Sequence, residues 1–227
     1  MAGDPADTVP FLSHGARVAL LDNARRIARS VAHPALASLV DVIQSAWGPM
    51  LVYEWIAGEL VHAPVKRRAD PTSAYQRFRR LPPEKLAAAI STTLDAHVAL
   101  CRAGWIACDF YDGSIIYDFA THRTRMIDLD SYHLGNFING MGRMFGSTRF
   151  MAPEEFERGA LVDERTTVFN LGRAVSEFLG DGALGKERFR GTEDQHRVMT
   201  RACEPDPAAR FQSVADMARF WRDYPLA

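Results

Sequence analysis

Asp109, Asp112, Asp128 and Asp130 are the side chains whose type and spacing bear most directly on chemistry. An apolar approach, Trp105-Ile106-Ala107, leads to Asp109, and Ser114 opens an apolar strand over Ser114–Tyr117. A second strand, Arg125–Leu129, carries Asp128 near its end, with Asp130 just beyond. The short turn Phe119–Thr124 predicts an antiparallel pair that brings Asp109 and Asp128 near each other. Carboxylates clustered without histidine or cysteine suit a hard cation such as Mg²⁺. Magnesium in turn points to phosphate chemistry, in which positioning and charge neutralisation supply most of the catalysis. The alternative is that these aspartates only cap turns at strand ends. Asp112 reads as a solvent-exposed turn residue, whereas Asp130 stays open between ligand and turn. Cys108, beside Asp109, does not read as a reactive thiol, because a neighbouring carboxylate raises a thiol pKa.

The elements that must hold these groups follow from periodicity. Val18, Leu21, Ala24, Ile27, Ala28 and Val31 recur at helical spacing over Ala16–Val31, and His33-Pro34 stops that helix. Leu36–Ile43 and Met50–Ile56, separated by Ser45-Ala-Trp-Gly-Pro, predict an antiparallel hairpin. Val9–Leu12 predicts a short strand. Residues 62–80 are basic, with Lys66, Arg67, Arg68, Arg77, Arg79 and Arg80, and read as a solvated connecting face rather than a phosphate site. Pro82-Pro83 opens a strong helix whose buried stripe is Leu86, Ile90, Leu94, His97/Val98 and Cys101, closed by Gly104. His97 on that stripe reads as a satisfied core histidine. A long glycine-bearing loop then runs to Met151, and helices follow over Thr166–Leu179, Glu193–Ala202 and Ser213–Tyr224. A small α/β start before a mostly helical bulk is an α+β layout.

Composition narrows the function classes. Hydrophobic residues make up 47% of the 227, enough for a full core. A net charge of −1 gives no whole-molecule attraction to nucleic acid or anionic lipid. Three widely spaced cysteines, with no CxxC pair, argue against a disulfide framework. The chain start shows no secretory signal and no apolar stretch approaches a bilayer span, so a soluble cytoplasmic protein with no nucleic-acid or membrane partner is expected.

In order along the chain, further segments join the aspartates. Phe145-Gly-Ser-Thr-Arg-Phe-Met-Ala-Pro-Glu-Glu, Val168-Phe-Asn-Leu-Gly and Glu204-Pro-Asp-Pro-Ala-Ala-Arg-Phe follow Asp128-Leu-Asp, and Leu51-Val-Tyr-Glu-Trp-Ile precedes them all. From His33 onward this series resembles the protein kinase superfamily, closest in style to bacterial serine/threonine kinases. The resemblance implies a reduced small N-terminal lobe over residues 1–56, a mostly helical C-terminal lobe over 57–227, and a protein substrate or regulatory partner. It implies ATP and Mg²⁺ as cofactors. Asp109 would orient the attacking hydroxyl or accept its proton, and Asp128 would bridge Mg²⁺ to the phosphates. Ser114 stands where the family has the asparagine of the second metal ion. Tyr53 stands at the adenine entrance, Glu54 and Ile56 would pair with adenine through their backbones, and Ile116 would face the nucleotide. Ser147 would contact the Asp109 loop and help seat a protein substrate. Arg210 would pair with Glu154 of the Ala152-Pro153-Glu154 triplet.

The departures from the family pattern concentrate on the phosphate grip. No glycine-rich loop precedes the first helix, and the first lysine is Lys66, past the hinge-like segment. Ala24 stands where the family's helix glutamate falls, Tyr111 replaces the catalytic-loop lysine, and Thr167 replaces the aspartate that opens the central helix. Three functions therefore compete: a protein kinase with divergent motifs, a pseudokinase scaffold that binds partners without catalysis, and a small-molecule kinase of aminoglycoside or choline type. The Ala152–Glu154 segment and Arg210 disfavour the third.

Overall fold

The computed structural model describes residues 3–4 and 12–223. It is an α+β fold of six α-helices and small antiparallel sheets among the described residues. The first helix, α1 (His14–Ser30), starts where Ser13 Oγ accepts the Ala16 N–H at 3.3 Å, and His33-Pro34 ends it as expected. Strands β1 (Leu39–Ser45) and β2 (Gly48–Tyr53) form the hairpin, in register Ser45 to Gly48 and Leu39 to Tyr53. Ser45 Oγ donates to the Gly48 carbonyl and accepts the Trp47 N–H, while Gly48 supplies the positive φ the turn needs. The strand expected at Val9–Leu12 lies, except for Leu12, outside the described residues.

A three-stranded sheet carries the aspartate-bearing segments. β3 (Glu59–Leu60) pairs with β5 (Ile115–Asp118), and β5 pairs with β6 (Arg123–Met126), register Ile115 to Met126. This is the antiparallel pair expected from the turn between them. Met126 also receives Ala35 from the chain leaving α1: its N–H donates to the Ala35 carbonyl at 2.6 Å.

The helical bulk is built on α3 (Pro83–Arg102), which starts on Pro83 and buries Leu86, Ile90, Leu94, His97 and Leu100. Around it lie α2 (Ala74–Arg79), α4 (Glu164–Leu179), α5 (Glu193–Ala202) and α6 (Val214–Asp223). Capping boxes fix the starts of α4 (Asp163 with Thr166) and α5 (Thr192 with Gln195). One continuous core joins α1, the sheet and all the long helices, from Ile27 and Val31 through Phe110 and Tyr117 to Trp221. The loop expected between Asp130 and Met151 contains short strands after all. β7 (His133–Leu134) pairs with β4 (Trp105–Ile106), and β8 (Phe137–Ile138) with β9 (Leu161–Val162). Two-residue strands leave no readable alternation in a sequence, and only their partners define them.

His97 is the core histidine expected: Nδ1 meets the Thr93 carbonyl at 2.8 Å and Nε2 the Tyr132 hydroxyl at 2.8 Å. Burial drives its pKa down to about 4, so it is neutral. The basic stretch 62–80 forms structural pairs: Arg77 with Glu59 at 2.7 Å, Arg67 with Asp70 at 3.0 Å, and Arg79 with Asp181. No helix among the described residues is long and apolar enough to cross a membrane.

Candidate active site

A cleft of about 550 Å³ opens between α1, the hairpin and the three-stranded sheet. The α1 face turned to it is small and apolar, with Leu21, Ala24 and Ala28, because the heptad-like spacing that buries Ile27 also aims these residues the same way. Tyr53, Glu54, Trp55 and Ile56 form one wall as the chain leaves β2, and Ile116 and Met126 form the floor. Asp128 and Asp130 close one end. Among the described residues, neither lysine nor arginine lines it.

The wall offers main-chain polarity. The Glu54 N–H donates to the Ser38 carbonyl at 2.9 Å. Among the described residues, the Glu54 carbonyl and the Ile56 N–H have no protein partner. At the floor, Gly58 has φ +128°, and a Cβ there would lie 2.8 Å from the Tyr117 carbonyl carbon and oxygen, so only glycine fits.

Asp109 and Asp128 both adopt left-handed backbone, with φ +58° and +62°. Aspartate tolerates this conformation better than most residues, yet it costs on the order of 1 kcal/mol and persists only where the surroundings enforce it. Burial, followed by the charges of Asp128 and Asp130, pushes the Asp109 carboxyl up to about 6. Burial and Asp130 raise Asp128 as well. The charge of Asp128 thus reaches Asp109, the proximity expected from the strand pairing. Among the described residues no group of three or more His, Cys, Asp and Glu side chains forms a ready-made metal cage. The donor set nevertheless fits a hard cation: Mg²⁺ is held by one or two carboxylates together with substrate phosphates, and a divalent charge relieves the repulsion.

Asp109, Ser114 and Ser147 do not line the cleft; Asp109 borders it through the reach of its charge to Asp128 and Asp130. Ser114 is wholly buried and its Oγ accepts the Tyr111 N–H at 3.4 Å. Ser147 contributes its carbonyl to the Phe150 N–H at 2.8 Å, which shapes the turn beside Asp109. Gly146 also lies near this aspartate: a Cβ built on it would sit 3.5 Å from Asp109 Oδ1. Thr167 tethers the aspartate segment: its Oγ1 accepts the Ala107 N–H at 2.9 Å.

Glu154 and Arg210 meet as expected. Arg210 is fully buried and donates to Glu154 through two nitrogens, at 2.7 and 3.0 Å. Its remaining donors reach the carbonyls of Arg165, Glu204 and Pro205, so all five are used. Glu154 Oε1 also accepts the Thr166 hydroxyl at 2.7 Å.

Asp112 corrects the sequence reading. It sits on a 3₁₀ turn but is wholly buried rather than exposed, taking Arg149 on Oδ2 at 2.6 Å and His62 on Oδ1 at 2.9 Å. Arg149 continues to Glu177 at 2.8 Å, which also accepts the Tyr75 hydroxyl. A buried carboxylate must be paired, and both partners come from segments remote in sequence, so nothing local announced them. Cys108 follows the expected direction: burial first, then Glu155 and Asp109, push its thiol up to about 12. Two further residues matter without having been foreseen. Asn23 donates to the main chain after Asp128, and Glu155 is a buried carboxyl raised to about 7.

No family model matches the chain, and no curated protein sequence matches it.

Proposed function

We propose that the chain is a protein-kinase-like ATP phosphotransferase acting on serine or threonine hydroxyls of a protein. The observation that carries this reading is the convergence of Tyr53, Glu54, Ile56, Ile116 and Asp128 on one cleft. These residues come from three separate stretches of chain, and the family resemblance gives all of them to one nucleotide. In this reading the purine lies between the apolar α1 face and the floor at Ile116 and Met126. The Glu54 carbonyl and Ile56 N–H pair with its edge, and Asp128 and Asp130 hold the metal at the phosphate end. Asp130 lines the cleft and Ser114 does not, which favours Asp130 as the additional metal ligand. Magnesium, when bound, neutralises phosphate charge. Asp109 orients the attacking hydroxyl and takes its proton.

A second reading, a nucleotide-binding scaffold without transfer, draws on a specific observation. Among the described residues the cleft has no basic lining residue, and Ala24 lies in its wall where, in the family pattern, a helix glutamate would brace a lysine. Thermal unfolding with ATP and Mg²⁺ addresses both. A binder at a hundredfold excess over its Kd gains about 2.7 kcal/mol. No stabilisation overturns the phosphotransferase reading. Stabilisation with turnover that is lost in Asp109→Asn and Asp128→Asn supports it; stabilisation without turnover leaves the scaffold.

A further inference from the structure

Among the described residues, the α1 helix is bolted to the rest of the fold without any charged pair at the cleft. Along one face, Ser30 Oγ accepts the Trp105 indole N–H at 2.8 Å, and the Arg26 guanidinium lies 5.5 Å from the same ring. Ile27 enters the core between them. A third bolt is Asn23, whose side-chain nitrogen donates to the Asp130 carbonyl at 2.8 Å and to the Tyr132 carbonyl at 2.6 Å. Two carbonyl oxygens facing one amide determine which end of the side chain is the nitrogen, and both of its N–H groups are used.

These contacts span the turn that follows Asp128. Tyr132 N–H donates to the Leu129 carbonyl at 3.1 Å, closing that turn. The Tyr132 ring is buried and its hydroxyl meets His97 inside the core. Residues 128–132 are therefore held on one side by Asn23 and on the other by the His97–Tyr132 pair. Asp128 itself needs enforcement, since its backbone is left-handed. Ala24, Asn23's neighbour, forms the cleft wall, so the same turn of α1 both shapes the cleft and anchors its acidic end.

We infer that Asn23 is a positioning residue: its amide fixes the chain segment that aims the Asp128 and Asp130 carboxylates into the cleft. Its consequence for metal and nucleotide rests on the phosphotransferase or scaffold reading of the cleft. The device couples α1 to the carboxylate segment through neutral hydrogen bonds, where no lysine–glutamate pair is present to do so.

The test uses the full chain, Asn23→Leu and hydrogen exchange. Loss of the clamp is expected to raise amide exchange over residues 129–135 at least tenfold, with α5 and α6 unchanged. In parallel, the apparent affinity for ATP with Mg²⁺ is expected to fall tenfold or more, while adenosine affinity changes less than threefold. Should Asn23→Leu fail to fold, Asn23→Ala, which removes both donors and adds no bulk, carries the same measurements. Unchanged exchange over 129–135 overturns the inference, as does an equal loss of adenosine and Mg²⁺–ATP binding, the mark of general loosening. If the unmutated chain binds neither adenosine nor Mg²⁺–ATP, the functional reading falls, and the exchange experiment still decides whether Asn23 holds the segment.

Discussion

Breaking the Glu154–Arg210 pair from one side is the most demanding stability test of the fold. Arg210 is 0% exposed and Glu154 6%, so neither charge has water to fall back on. Glu154→Gln keeps the shape and the oxygen that meets Thr166 and one Arg210 nitrogen, but removes the countercharge. It also turns an amide NH₂ toward a guanidinium that is itself a donor. Removing one member of a buried pair costs about 3–5 kcal/mol, because the remaining charge stays buried and unpaired. At roughly 2–4 °C per kcal/mol for a chain of this size, the midpoint is expected to drop by about 6–20 °C. Arg210→Met carries a similar cost, since it orphans Glu154 and the carbonyls of Arg165, Glu204 and Pro205. The double variant Glu154→Gln/Arg210→Met is expected to cost clearly less than the two single changes together, because neither charge is then left alone. Urea unfolding of the four proteins at neutral pH reads the cycle. A Glu154→Gln penalty below about 1 kcal/mol, or strictly additive single changes, refutes the burial argument.

Three further outcomes are expected. Burial raises Glu155 to about 7, above its ordinary carboxyl value, so its contribution is full below pH 4.5 and is lost as pH rises through 7. Glu155→Gln, which still accepts from Ala152 and Asn170, is expected to flatten the fall in stability between those values, read by unfolding at a series of pH values. Thr167→Val strands the buried Ala107 N–H and is expected to cost about 1–3 kcal/mol, with Thr167→Ser close to the parent in the same denaturation assay. Gly58→Ala forces a side chain into left-handed backbone against the Tyr117 carbonyl; a stability loss of about 1–3 kcal/mol and weakened ligand binding are expected by thermal unfolding with and without ATP.

Much of the architecture was legible in the sequence because it is written in local rules. The start of α3 follows from Pro82-Pro83, and the hairpin follows from its apolar runs and the Ser45–Gly48 turn. The pairing of β5 with β6 follows from one short turn and brings the charge of Asp128 to bear on Asp109. Glu154 and Arg210 were legible only through the order of motifs, since no local rule joins residues so far apart.

Residue types and their order alone determined the α+β layout, the clustering of carboxylates and the absence of a lysine before Lys66. Tertiary structure decided what each polar group does, since burial and remote partners set its energy. It turned Asp112 from an expected exposed turn residue into a buried anchor for Arg149 and His62. It also made Asn23, one polar residue on an amphipathic helix, the clamp of the segment carrying Asp128. A side chain's chemistry is encoded in its own letter, but its charge, partners and exposure belong to the residues folded against it.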